Sequence, residues 1–160
     1  MVHSHHPSGI IFNRSMPPGT IIPEPDYDDL EAAIGWLCSV IGFREHLCIG
    51  NHRAQLVLGD SAVIAFARNR MPGSGSSTGS PAPTRTNDQN HSLTVRVADL
   101  EANFEKVKRN GANILREPET YPCGESQYTV QDMGGHAWTF SRSVVDVAPE
   151  TWGGRPVDIS

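Results

Sequence analysis

The tetrapeptide "DLEA" stands at 29–32 in "YDDLEAAIGWL" and again at 99–102 in "VADLEANFEKV". A chain that echoes itself at this spacing folds as two copies of one unit, provided the likeness continues on both sides. It does. In "YDDLEAAIGWLCSVIGF" the residues Leu30, Ile34, Leu37 and Ile41 fall at steps of four, three and four, one apolar helix stripe. Asp26 or Asp28 is expected to cap that helix and Gly42 to end it. "ADLEANFEKVKRNGANI" repeats the pattern with Leu100, Phe104 and Val107, with Asp99 at the start and Gly111 past the end.

Upstream of the helices lie "TIIPEPDY" and "HSLTVRVA". In the second, Leu93, Val95 and Val97 alternate with Ser92, Thr94 and Arg96, as in a half-buried strand. Aligned through "DLEA", Ile22 falls on Ser92, Glu24 on Thr94 and Asp26 on Arg96. Pro23 and Pro25 make the first strand an edge strand. Downstream, "QLVLGDSAVIAFAR" (55–68) resembles "QYTVQDMGGHAWTFSR" (127–142), each a hairpin, with two extra residues allowed at the second turn. "REHLCIG" and "ILREPETY" add one strand to each copy. Each module thus reads strand, helix, three strands.

The predicted organisation is an N-terminal extension at 1–19, expected to be flexible, then one domain at 20–143, then a tail at 144–160. Within the domain, module one covers 20–70, a Gly/Ser/Pro/Thr-rich linker 71–90, and module two 91–143. "HSHH" at 3–6 could grip a soft metal ion but is expected to be a solvated end. In 160 residues no apolar run is long enough to span a bilayer, and the N-terminus does not read as an export signal, so a cytoplasmic location is expected. Cys38, Cys48 and Cys123 lack CxxC spacing and read as free thiols. A formal charge of −5 disfavours nucleic acid as a partner and suits neutral or cationic small ligands.

This α+β pattern of two tandem βαβββ modules resembles the vicinal oxygen chelate superfamily of glyoxalases, bleomycin-resistance proteins and extradiol dioxygenases, and most of all its PhnB-like type. "DLEAAIGWLCSVIGF", "VADLEANFEKVKRNGANI" and "QYTVQDMGGHAWTFSR" carry the resemblance, which spans about 20–143. It implies that each sheet curls, half-barrel-like, around a shared cavity, with helices outside, and that the protein forms a homodimer. Strand alternation then assigns Leu56, Leu58, Ile64, Phe66, Leu93, Val95, Tyr128, Val130, Trp138 and Phe140 to the helix side. The ligand side would hold Ile22, Glu24, Gln55, Val57, Val63, Ala65, Ala67, Ser92, Thr94, Arg96, Gln127, Thr129, Ala137, Thr139 and Ser141.

Metal-dependent relatives place a His, Glu or Gln on the first and last strand of each half. Carried over, those positions are Ile22, Ala65, Ser92 and Thr139, none of them an imidazole or carboxylate, so no metal or other cofactor is expected. His91 lies one residue early, and one residue turns a strand side chain to the other face. The expected function is therefore metal-free binding or sequestration of a small organic molecule in the cavity between modules. The alternative is a lyase, isomerase or dioxygenase. It would use a displaced divalent-metal site (His91 with Glu24 or Glu125) or metal-free chemistry with Glu24 as base.

Overall fold

A computed structural model describes residues 13–68 and 91–157; the "HSHH" stretch and the 71–90 linker lie outside them. The chain divides into two compact units, Met1–Arg85 and Thr86–Ser160. In the first, β1 (Asp26–Tyr27) leads into α1 (Leu30–Trp36), a π-helical turn (Leu37–Ile41), β2 (Arg44–Ile49), β3 (Arg53–Leu58) and β4 (Ser61–Ala67). In the second, β5 (Ser92–Arg96), α2 (Leu100–Arg109), β6 (Asn113–Thr120), β7 (Glu125–Gln131) and β8 (Ala137–Ser143) follow in the same order. The sheets run β1-β4-β3-β2 and β5-β8-β7-β6, each with one parallel pair and otherwise antiparallel. The tandem βαβββ expectation holds.

Both helices start by one device, though not at the residues first expected for α1. Asp29 Oδ1 accepts the Ala32 N–H at 3.0 Å, as Asp99 Oδ1 accepts that of Ala102 at 3.0 Å. Each sits three residues before its partner, the spacing at which a capping carboxylate satisfies an orphan donor. Asp26 and Asp28 instead hold Arg68, both at 3.1 Å. Gly42, at φ 102°, closes the first helical segment by donating to the Leu37 carbonyl. The prolines confine β1 to two residues at the sheet edge: without N–H groups, Pro23 and Pro25 can only accept, from Ile64 and Phe66.

The core of the second unit is aromatic. Tyr128 and Phe140 are buried and stack at 5.0 Å, and Phe104 of α2 meets Tyr128 edge-on at 4.9 Å. Burying side chains of this size stabilises by about 1.5–3 kcal/mol each. Trp138, also buried, donates its indole N–H to Asp132 at 2.9 Å. The same carboxylate accepts from the Gly134 and His136 amides, which fixes the turn between β7 and β8. After β8 the chain returns to donate from Val144 to the Gly124 carbonyl. Only glycine fits there, because φ is +88° and a Cβ would stand 1.9 Å from the Val145 carbonyl oxygen. No helix among the described residues is long and apolar enough to cross a membrane.

Candidate functional site

Contact between Phe104 and Tyr128 identifies the helix side of β7, so the residues alternating with Tyr128 form the opposite face. Cross-strand pairing arranges that face in rows. Ser92, Ala137 and Gln131 make one; Thr94, Thr139 and Thr129 the next; Arg96, Ser141 and Gln127 the third. These are the faces expected from the alternation in module two. Ser92, Thr94 and Arg96 are exposed, Ser141 is buried, and the rest are half-buried. The face is therefore polar and accessible.

Its groups are already joined. Gln127 Nε2 donates to Ser141 Oγ at 2.9 Å, and Ser141 Oγ donates to Glu125 Oε2 at 2.7 Å. Ser143 Oγ donates to the other Glu125 oxygen and accepts from Arg96 at 3.5 Å. The Ser143 and Ser141 hydroxyls, with Arg96 behind them, hold the Glu125 carboxyl below its usual range. A carboxylate so held accepts hydrogen bonds well and takes up protons poorly. Thr129 and Thr139 share a hydrogen bond at 2.9 Å, and Asn113 donates to Gln131 at 3.0 Å.

Module one departs from expectation. Gln55 pairs with Ile64 and Arg53 with Phe66, and directly opposed antiparallel residues project to the same side. Leu58, on the Leu56 side, is what a side chain at Gly42 would meet, so the helix lies on that side. Val63, Ala65 and Ala67 are therefore on the helix side, and Ile64 and Phe66 on the ligand side, the reverse of the sequence assignment. The turn at 59–60 has two residues and that at 132–136 has five, an odd difference. The echo of "IAFAR" with "WTFSR" hides a slip of one residue, which exchanges the faces of β4. Ile22 and Glu24 keep their expected side: Ile64 donating to the Pro23 carbonyl puts Glu24 beside Ile64, as Asp26 stands beside Phe66.

Gln55 and Val57 are buried, not open, and the described part of the N-terminal extension lies over Gln55. Gln55 Nε2 donates to the Ser15 and Arg14 carbonyls at 2.9 and 3.3 Å. The groups of this segment that bind Gln55 are backbone carbonyls, which leave no side-chain pattern. Alternation missed Arg53, two residues before Gln55 and on its face. It also weighed Glu125 only as a displaced metal ligand and passed over Ser143.

Glu24 is exposed. His91, also exposed, precedes β5 by one residue and so falls in phase with Leu93 and Val95, the helix side. With β4 corrected, the positions that carry ligands in metal-dependent relatives hold Ile22, Ile64, Ser92 and Thr139, two hydrocarbons and two hydroxyls. This donor set does not fit a divalent ion. Among the described residues no group of three or more His, Cys, Asp or Glu could hold a metal.

The family model described as Glyoxalase/Bleomycin resistance protein/Dioxygenase superfamily matches residues 27–140. None of the curated proteins searched matches the chain. Among solved structures, TioX from Micromonospora sp. ML1 is 30% identical over 81% of this chain and 100% of its own, at TM-score 0.57. A lactoylglutathione lyase from Agrobacterium tumefaciens is 15% identical, covering 87% and 100%, at TM-score 0.61. A glyoxalase/bleomycin resistance protein/dioxygenase from Nocardioides is 15% identical, covering 91% and 91%, at TM-score 0.60. The last two speak for the fold alone.

Proposed function

Since this chain belongs to the glyoxalase/bleomycin resistance protein/dioxygenase superfamily, we propose that it binds a small organic molecule, without a resident metal and without converting it. The ligand would lie on the polar face of module two. The observation behind this reading is the ordered, accessible ladder of Thr94–Thr139–Thr129 and Arg96–Ser141–Gln127. Its hydroxyl and amide groups offer donors and acceptors at fixed cross-strand spacing, which suits an uncharged ligand rich in amides or hydroxyls.

Glu125 argues for binding over acid–base catalysis. A general base is best poised near the working pH, whereas this carboxyl is pulled the other way by Ser143, Ser141 and Arg96. The test is residue-resolved NMR on the full chain against a library of amide- and hydroxyl-bearing compounds, with product analysis alongside. Hits should shift the signals of Thr94, Thr129, Thr139 and Gln127 and be recovered unchanged. Gln127→Leu should weaken such a hit about tenfold, the loss of one hydrogen bond. Hits that leave this face unmoved, or that are chemically converted, would overturn the reading.

A further inference from the structure

Arg53 and Gln55 adjoin on the face of module one opposite the helix, beneath the chain's own residues 13–17. Gln55 is fully buried and Arg53 only 7% exposed. Beyond the Gln55 bonds, an Arg53 terminal nitrogen donates to the Ser15 carbonyl at 3.4 Å and approaches Met16 Sδ at 3.8 Å. Its guanidinium lies over the Phe66 ring, 5.5 Å from the centroid. The covering segment is a turn, in which Met16 N–H donates to the Asn13 carbonyl and Ser15 N–H to the Asn13 side chain. Pro17 beyond it is buried.

Two buried groups are left over. Arg53 Nε and Gln55 Oε1 have no hydrogen-bond partner among the described residues. No carboxylate there pairs with Arg53: Asp26, the acid on the same cross-strand row, is held by Arg68 at 3.1 Å. Among the described residues the partners of Arg53 are a carbonyl, a sulfur and a ring, and a buried guanidinium so placed bears a desolvation cost that a carboxylate would offset. One oxygen, that of Ser15, already receives hydrogen bonds from both side chains. It stands where a ligand oxygen would, and the second oxygen of a carboxylate could take Nε in the two-point geometry that guanidinium favours.

We infer that Arg53, Gln55 and Phe66 form a second ligand site, selective for a carboxylate-bearing small molecule and covered by residues 13–17 until such a ligand displaces them. The inference is independent of the module two reading. The net charge of −5 does not decide against an anion here, because distant surface charges are screened over about 8 Å at physiological salt while the guanidinium acts in contact.

The test uses the full chain, with sodium benzoate as the probe and benzamide as its uncharged counterpart, read by NMR and hydrogen exchange at residues 13–17 and Gln55. Benzoate should shift the Gln55 side-chain amide and speed exchange at 14–16, benzamide should do neither, and Arg53→Met should abolish the response. A paired Ser15→Gly and Met16→Gly variant loosens the cover and should tighten benzoate roughly tenfold, since less ordering must be undone. That variant decides the matter if Arg53→Met fails to fold. Signals at 13–17 and Gln55 unmoved by benzoate, an equal response to benzamide, a response surviving Arg53→Met, or unchanged affinity in the glycine variant would each overturn the inference.

Discussion

Glu125 shows how neighbours settle the working state of a group whose type alone leaves it open. As a residue in the sequence it could be a metal ligand, a base or a solvated charge. In the fold each of its oxygens takes a hydroxyl, from Ser143 and from Ser141, with Arg96 nearby. All three favour the ionised form, so the folded value lies below the ordinary 4.5. The sign of the linkage follows. Such a group contributes stability above its unfolded pKa, and the contribution is lost as pH falls through the lower, folded one. The Glu125 carboxyl carbon should therefore titrate with a midpoint below 4.5 in an NMR titration of the native protein. Ser143→Ala should raise that midpoint more than Arg96→Gln, because the Ser143 hydrogen bond is the largest cause. A native midpoint at or above the ordinary value would remove the basis for treating Glu125 as a fixed acceptor. Burial acts oppositely on Cys38 and Cys48, raising their pKa and keeping these free thiols protonated near neutral pH.

At the level of elements, the hairpins decide what the repeat can and cannot reveal. Ile64 spends its N–H on the Pro23 carbonyl, pointing away from β3. Gln55 and Ile64 are therefore a close, non-hydrogen-bonded pair with Cα atoms about 4.5 Å apart, within the usual disulfide range of roughly 4.4–6.8 Å. With Cys38, Cys48 and Cys123 changed to serine, Gln55→Cys combined with Ile64→Cys should cross-link on mild oxidation. Gln55→Cys with Ala65→Cys, on opposite faces, should not. Mass spectrometry of the oxidised proteins reads the difference, and a cross-link only in the second pair would restore the original faces of β4. Legibility followed the same line. Apolar spacing around "DLEA" located both helices, and alternation placed Thr129, Thr139 and Ser141 on one face, because those signals are local. The β4 faces depended on counting turn residues across two hairpins of unequal length, where matching letters misled by one. The cover at 13–17 was invisible because the groups that bind Gln55 are backbone carbonyls of Arg14 and Ser15, which every residue type possesses.

Across the whole molecule, one unit written twice has been finished in two ways. In module one, β3 and β4 are buried on both faces: Leu56, Val63 and Ala65 toward the helix, and Gln55, Ile64 and Phe66 on the other, where the Arg14 and Ser15 carbonyls take hydrogen bonds from Gln55. In module two only one face of β7 and β8 is closed, by Tyr128, Val130, Trp138 and Phe140, while Gln127, Thr129 and Thr139 keep access to water. Amide exchange reports the free energy of the opening that exposes each hydrogen bond, and opening costs more where more surface must be uncovered. Native-state hydrogen exchange should therefore find the central amides of β3 and β4 slower than those of β7 and β8 by at least about tenfold, or about 1.4 kcal/mol. Equal or slower exchange in module two would mean that residues 13–17 add no protection, and that this cover is not part of what holds module one closed. The predicted order ties stability to the proposed use: a sheet that keeps one face open, as the proposed binding requires, gives up the burial that its sibling retains. The Ser15→Gly and Met16→Gly pair should narrow the gap by speeding exchange in β3 and β4 alone, leaving β7 and β8 as they were.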